Sequence, residues 1–304
     1  MAKIIGVTLS ERVQAALVVD HKLAGPLQCF PDDGGEDDGA LIEMPTDDLV
    51  KMLCEQITCA AKGATDISAV GVALPGYIRN GVVEDSPNLP QLKGARIAEL
   101  LTLKLAEHGL SNVAVNVMND ADGMAAGLAA TRQKLDRLIR VWTLGIGIGY
   151  GRYPFIEGAW EGGHSVVSLD DKERYCGCGG RGHVEGIMGH RAMRLRFLDM
   201  EPEEVFEAAN APGNPDKRCL EFKRLWHKAL AAATATEIHQ EGAGKFFTTG
   251  FNVRFVEMPM LKDFLQQMVK MSPLQSYSLE IVKDDAETRV IGSAVSAEQA
   301  AARG

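Results

Sequence analysis

Two apolar runs, AKIIGVTL (2–9) and RVQAALVV (12–19), lie on either side of Ser10 and Glu11, and this spacing constrains the fold more than any other feature of the chain. Each run is long enough for one strand, and so short a break leaves room only for a hairpin turn. Beyond it, strand and helix patterns alternate. LVKMLCEQITCAAKG (49–63) has apolar residues at helical spacing, and ISAVGVALPG (67–76) reads as a buried strand running into a Pro-Gly turn. ARIAELLTLKLAEHGL (95–110) predicts a second amphipathic helix, VAVNVMND (113–120) a strand, ADGMAAGLAATRQK (121–134) a helix of small residues, and LIRVWTLGIGIGYG (138–151) a strand entering a glycine-rich hairpin. Helical patterns dominate 191–240, followed by a strand at 245–250, a helix at 260–270, a strand at 277–283 and a C-terminal helix. This order predicts an α/β fold. A strand-turn-strand at residue 2 and another near 138 suggest two similar lobes. The expected division is 1–118 plus a C-terminal helix from about 288 to 304 as a smaller lobe, and 119–287 as a larger one.

The chain of 304 residues, 46% apolar and 24% charged, can build a sizeable core in each lobe. A formal net charge of −9 argues against a nucleic-acid surface. Part of the acidic excess sits in PDDGGEDDGA (31–40), which has no apolar spacing and reads as an exposed loop. The N-terminus has no apolar core of a secretory signal, and no run approaches the roughly 20 apolar residues of a membrane span, so a cytoplasmic protein without membrane contact is expected. Six cysteines are too few and too scattered for a disulfide framework. Cys29, Cys54, Cys59 and Cys219 read as reduced thiols without a special role.

Cys176 and Cys178 differ in their company. The segment EGGHSVVSLDDKERYCGCGGRGHVE (161–185) holds His164, Cys176, Cys178 and His183. Zinc takes four such donors in a tetrahedron, and Cys-x-Cys on a glycine turn directs two thiolates to one point. The alternative is a solvated loop with chance Cys and His. Four protein ligands would leave no open position, so the expected zinc is structural rather than catalytic.

EGGH (161–164) followed by CGCGGRGHVE (176–185) resembles the signature of the ROK family of sugar kinases and sugar-responsive repressors, E-x-G-H then C-x-C-G-x-x-G-C-x-E. One fixed position departs: the third cysteine is His183 here, an equally good zinc ligand. GVALPGYIRNGVVEDSPNLP (71–90), VMNDADGMAAGL (117–128) and TLGIGIGYG (143–151) resemble further family segments. The resemblance implies a two-lobed, actin-like ATPase fold of the hexokinase (ribonuclease-H-like) type with the sugar in a cleft between lobes. It also implies hexose contacts from Asn88, Asn119, Asp120, Glu161, His164 and Glu185, with Asp120 as the general base. Asp122 is then the expected cap of the following helix. Chain start and length match the kinases rather than the repressors, and relatives are commonly dimers or tetramers, so a homo-oligomer is expected.

The phosphate-binding side departs from the family. Its first loop, Asp-x-Gly-Gly-Thr-Lys, falls on Thr8 to Val13, placing Ser10, Glu11 and Arg12 where two glycines and a threonine belong. Glycines there let backbone amides approach phosphate, and the aspartate helps hold magnesium. In the second loop, Gly145, Gly147 and Gly149 remain but the family threonine is Ile146, and a later Gly-Gly is Thr249-Gly250. The expectation is a sugar-active protein whose ordinary MgATP binding is lost or badly weakened. The alternatives are an ATP-dependent hexokinase, a glycoside hydrolase using pocket carboxylates, and a non-catalytic sugar sensor.

Overall fold

The computed structural model describes residues 2–31, 41–64, 66–156 and 161–302. Most of the acidic stretch, residues 32–40, lies outside them. The chain begins with β1 (Lys3–Leu9), β2 (Val13–Val19), β3 (Lys22–Leu23) and β4 (Gln28–Phe30), then α1 (Thr46–Ala61), β5 (Ile67–Leu74), β6 (Tyr77–Arg79) and β7 (Val82–Asp85). There follow α2 (Ile97–Glu107), β8 (Ala114–Asn119), α3 (Asp120–Thr131), β9 (Ile139–Leu144) and β10 (Ile148–Tyr153). The remainder is α4 (Val184–Met188), α5 (His190–Arg196), α6 (Pro202–Ala209), α7 (Lys217–Glu241), β11 (Lys245–Thr249), α8 (Met258–Met268), β12 (Ser278–Ile281) and α9 (Ala286–Ala301). None of the helices among the described residues is long and apolar enough to cross a membrane.

The chain divides into two compact units. The first comprises residues 1–139, 151–159 and 285–304, the second 140–150 and 160–284. In the first unit the sheet runs β3-β2-β1-β5-β8, with β4 also on β2. The expected hairpin is antiparallel, with Thr8 opposite Gln14 and Leu9 opposite Val13. β5 and β8 then add parallel to β1, so that Thr8, Ala73 and Met118 lie in one register row. The carboxyl ends of these three strands therefore meet one edge of the sheet, the edge at which open α/β sheets bind ligands. One face buries Ile5, Val7, Leu9, Val13 and Ala15 against α1 and α2. The other face carries α9 at backbone distance: a Cβ on Gly6 would stand 1.9 Å from the Val290 carbonyl oxygen, and one on Gly71 1.9 Å from that of Ser293.

The second unit starts later than the sequence suggests, because α3 belongs to the first. Gly127 on α3 and Gly292 on α9 let the two helices press together: a Cβ on Gly127 would lie 1.9 Å from the Thr288 carbonyl oxygen, and one on Gly292 1.8 Å from that of Gly123. The sheet associated with the second unit has the order β10-β9-β11-β12, with β11 and β12 parallel. Its core buries Trp142, Leu144, Ile187, Met188, Trp226 and Phe246.

Candidate functional site

In the first unit, the site residues gather where β8 gives way to α3. Asn119 ends the strand and caps the helix: its Oδ1 accepts from the Ala121 amide at 2.8 Å, while its Nδ2 donates to the Gly76 carbonyl at 2.9 Å. The capping role expected of Asp122 thus falls to Asn119, and Asp122 instead accepts from the Arg152 amide at 2.9 Å. Asp120 is the first residue of α3, with Oδ1 3.0 Å from the Ala121 amide. The Pro75-Gly76 turn beside it is closed by Ser86, whose hydroxyl donates to the Pro75 carbonyl at 2.7 Å. Gly76 adopts φ +130°, and a Cβ there would meet the Asp85 carbonyl oxygen at 2.5 Å, so glycine is required. Asn88 stands exposed two residues past Ser86, in the turn that the Leu89 amide closes onto the Ser86 carbonyl.

The β1–β2 turn lies at the same carboxyl edge of this sheet, since Thr8, Ala73 and Met118 share a row. Ser10 and Arg12 are half-buried and Glu11 is exposed.

In the second unit the structure brings together the predicted metal ligands. One donor atom from each of His164, Cys176, Cys178 and His183 lies within 4.8 Å of all the others. Cys176 Sγ is 3.3 Å from Cys178 Sγ, and Cys178 Sγ is 3.3 Å from His183 Nδ1. The rings of His164 and His183 are 5.2 Å apart. Two thiols and two imidazoles converging this closely fit a tetrahedral ion of the zinc type. Cys176 and the Glu161 carboxylate favour the charged form of His164 and raise its pKa to about 11. Burial pushes the Cys176 thiol up and His183 down.

Two carboxylates flank this cluster. Glu161 Oε2 is 3.5 Å from His164 Nδ1, and Glu185 Oε1 is 3.9 Å from His164 Nε2 and 3.5 Å from Cys176 Sγ. Glu185 is fixed by the Ile148 amide, which donates to Oε2 at 3.0 Å. Strand β10 also sets EGGH: a Cβ on Gly163 would fall 1.9 Å from the Ile148 carbonyl oxygen, and one on Gly162 2.5 Å from Tyr150 Cβ. Tyr150 is held in turn by Glu237 at 2.6 Å. Neither Tyr150 nor Glu237 stood out in the sequence, because nothing local marks their pairing.

The glycine turn 145–147 is bound to its surroundings through carbonyls. The Gly145 oxygen accepts from the His190 amide (3.0 Å) and Asn252 Nδ2 (2.9 Å), and the Ile146 oxygen accepts from the Arg191 amide (3.3 Å). A concavity of about 820 Å³ opens beside it, lined by Ile146, His190, Arg191, Arg194, Phe197 and Met200 among others. Gly149 lies within β10 and is no part of this turn. A second group of possible metal donors, His190, Glu201 and Glu203, has its carboxylates paired with Arg194 and Arg254.

The model of the ROK family matches residues 41–300. A glucokinase of Pyrobaculum calidifontis is 30% identical over 188 residues, which are 56% of this chain and 58% of that protein, so the chain spans little more than half the length of that relative. Among solved structures, a ROK hexokinase from Thermus thermophilus superposes with a TM-score of 0.77 at 20% identity, covering 99% of this chain and 100% of the other. A ROK glucokinase from Streptomyces griseus, solved with glucose and AMPPNP, gives 0.68 at 18% identity and coverages of 98% and 100%. These likenesses agree with a two-lobed, actin-like ATPase fold.

Proposed function

The chain belongs to the ROK family, and on that premise we propose that it is a cytoplasmic, homo-oligomeric sugar kinase that transfers the terminal phosphoryl group of MgATP to a hexose hydroxyl. The observation that carries this reading is the position of Asp120, at the carboxyl end of β8 and the first turn of α3, beside the glycine turn that Asn119 holds. A carboxylate there takes the proton from the attacking hydroxyl as the oxygen–phosphorus bond forms. Asn88, Asn119, Glu161, His164 and Glu185 hold the remaining hydroxyls in paired hydrogen bonds, and a site built for a hydroxyl penalises a sugar that lacks it.

His164, Cys176, Cys178 and His183 hold zinc in this reading, and zinc supplies a fixed point from which His164 and the neighbouring Glu185 are aimed. For the donor, the glycine turn 145–147 and the adjoining concavity are the nearest candidate; Arg191 and apolar side chains line it, while Asp199, Glu201 and Glu204 also face it and Arg194 is paired with Glu201. Kinship with a glucokinase supports a nucleotide donor, against the expectation that MgATP binding is lost.

A second reading, a sugar sensor without turnover, draws its support from one place. Ser10, Glu11 and Arg12 offer a side-chain-bearing, acidic turn where glycine amides would serve a phosphate better. Mass spectrometry separates the readings. Zinc-loaded protein is incubated with hexoses, amino sugars and aryl glycosides, each with and without MgATP. The kinase reading expects a sugar phosphate that appears only with MgATP. Glycoside cleavage without a nucleotide would replace the kinase with a hydrolase, and sugar binding without product would replace it with the sensor.

A further inference from the structure

Helix α5 ends on Arg196, whose side chain reaches three neighbours of the metal and carboxylate groups. Nη1 donates to Glu173 Oε1 at 3.0 Å and Nη2 to Glu173 Oε2, a two-pronged ion pair between side chains only 16% and 8% exposed. Nη2 also lies 3.5 Å from the Gly186 carbonyl oxygen. The guanidinium carbon stands 4.4 Å from the centroid of the Tyr175 ring.

Each contact adjoins a site residue. Tyr175 precedes Cys176, and Gly186 follows Glu185. Glu173 reaches the far end of the segment, because its own carbonyl accepts from the Gly182 amide at 2.9 Å, immediately before His183. Gly182 has φ +68° and sits where a Cβ would strike the Ser168 carbonyl oxygen at 1.9 Å, so that junction has little freedom of its own. One planar cation thus closes a loop whose two ends carry metal donors and ties it to the helix that carries Glu185. A guanidinium suits this, because its rigid fork satisfies a carboxylate at two points while its face packs on an aromatic ring.

We propose that Arg196, acting with Glu173, is a positioning residue that sets the geometry of Cys176, Cys178 and His183 as zinc ligands. The proposal rests on the zinc reading above. Neither residue touches the metal in this view; both act through the backbone of the loop. A pair of this kind is costly to break at one side, since the partner is left charged and buried, whereas replacing both members with apolar side chains of similar size is tolerated.

That asymmetry supplies the test. Zinc affinity is measured by competition with a chromophoric chelator on wild type, Arg196→Met, Arg196→Lys and the double variant Glu173→Leu/Arg196→Met, with far-UV circular dichroism to confirm folding. Arg196→Met is expected to weaken zinc by about 10–100-fold, the range found for groups that orient metal ligands. Arg196→Lys restores part of the loss, because an ammonium keeps the charge and loses the fork. The double variant stays folded and remains weak for zinc. Wild-type zinc affinity in a folded Arg196→Met protein, or in the double variant should the single one not fold, would overturn the proposal while leaving the zinc reading intact. A wild-type protein that takes up no stoichiometric zinc would overturn both.

Discussion

Between β1 and β2 the Ser10 amide donates to the Arg12 carbonyl at 3.1 Å; between β9 and β10 the Gly145 amide donates to the Gly147 carbonyl at 3.0 Å. The two turns are closed by the same bond, and none of their residues has a positive φ. One is Ser-Glu-Arg, the other Gly-Ile-Gly. Glycine is therefore not needed to make the turn. What it provides at 147 is room, since a Cβ there would stand 2.5 Å from Glu185 Oε2. The first turn keeps the fold of its hairpin while carrying three side chains, Ser10 and Arg12 half-buried and Glu11 exposed. Departure from a glycine motif can thus leave architecture untouched while changing the groups the turn presents.

The largest expected effect tests whether the first turn has ended catalysis. Asp120→Asn should lower kcat for hexose phosphorylation by about 10²–10⁴-fold, the usual worth of a positioned base, with sugar affinity changed only a few-fold. Steady-state kinetics with separate sugar titrations check this. Full activity in the variant would remove Asp120 from the mechanism.

Gly147→Ala tests the role assigned to room at the second turn. The carboxylate of Glu185 is its near neighbour and is pinned by the Ile148 amide, so an added methyl displaces it. The KM for hexose should rise about 10-fold, matching a lost hydrogen bond to a charged group, roughly 1.5 kcal/mol, while the KM for MgATP moves less. An equal rise in both would show that the glycine serves the donor instead.

How much of this was legible in advance depends on how local the signal is. The β1–β2 hairpin, most of the strand and helix order and the convergence of His164, Cys176, Cys178 and His183 were readable, because alternation, helical spacing and Cys-x-Cys are all short-range patterns. Asn119 as the cap was not, since Asp122 offers the same chemistry and only the turn at Gly76 decides between them. The attachment of α3 to the first unit was also hidden: Gly127 acquires meaning only when α9, with Gly292, arrives from the far end of the chain. The hairpin of β6 and β7 and the short α4 lie in stretches too brief for periodicity to declare them. Nothing local pairs Arg196 with Glu173, 23 residues apart; only folding buries them together.

A graft in the first turn carries a smaller effect. Ser10→Gly combined with Glu11→Gly removes a carboxylate from the approach of a polyanion and bares the amide of residue 11, while the amide of residue 10 stays on the Arg12 carbonyl. The KM for MgATP should fall about 5-fold, near the 1 kcal/mol between unit charges at 4 Å in water. Because the hairpin bond joins backbone atoms, the melting temperature should change little. A KM for MgATP that stays put would mean that this turn lies outside the donor's reach, and the contrast between the two turns would lose its functional side.

The finest test is Ile146→Thr. Ile146 is 50% exposed at the tip of a turn whose carbonyls on either side of the tip are already bound, Gly145 to His190 and Asn252, Ile146 to Arg191. The substitution keeps the β-branch and leaves the backbone anchored, so the only new element is a hydroxyl facing solvent or ligand. If MgATP binds beside this turn, one added hydrogen bond contributes about 0.5–1.5 kcal/mol and the KM for the nucleotide falls roughly 2–10-fold, with hexose unaffected. Combined with the Ser10→Gly/Glu11→Gly graft, the two gains should multiply if each turn meets a different part of the donor, and fall short of multiplying if both reach the same phosphate. A double-variant cycle on the KM for MgATP therefore reads out whether the two turns, alike in backbone and unlike in side chains, share one ligand group or divide it.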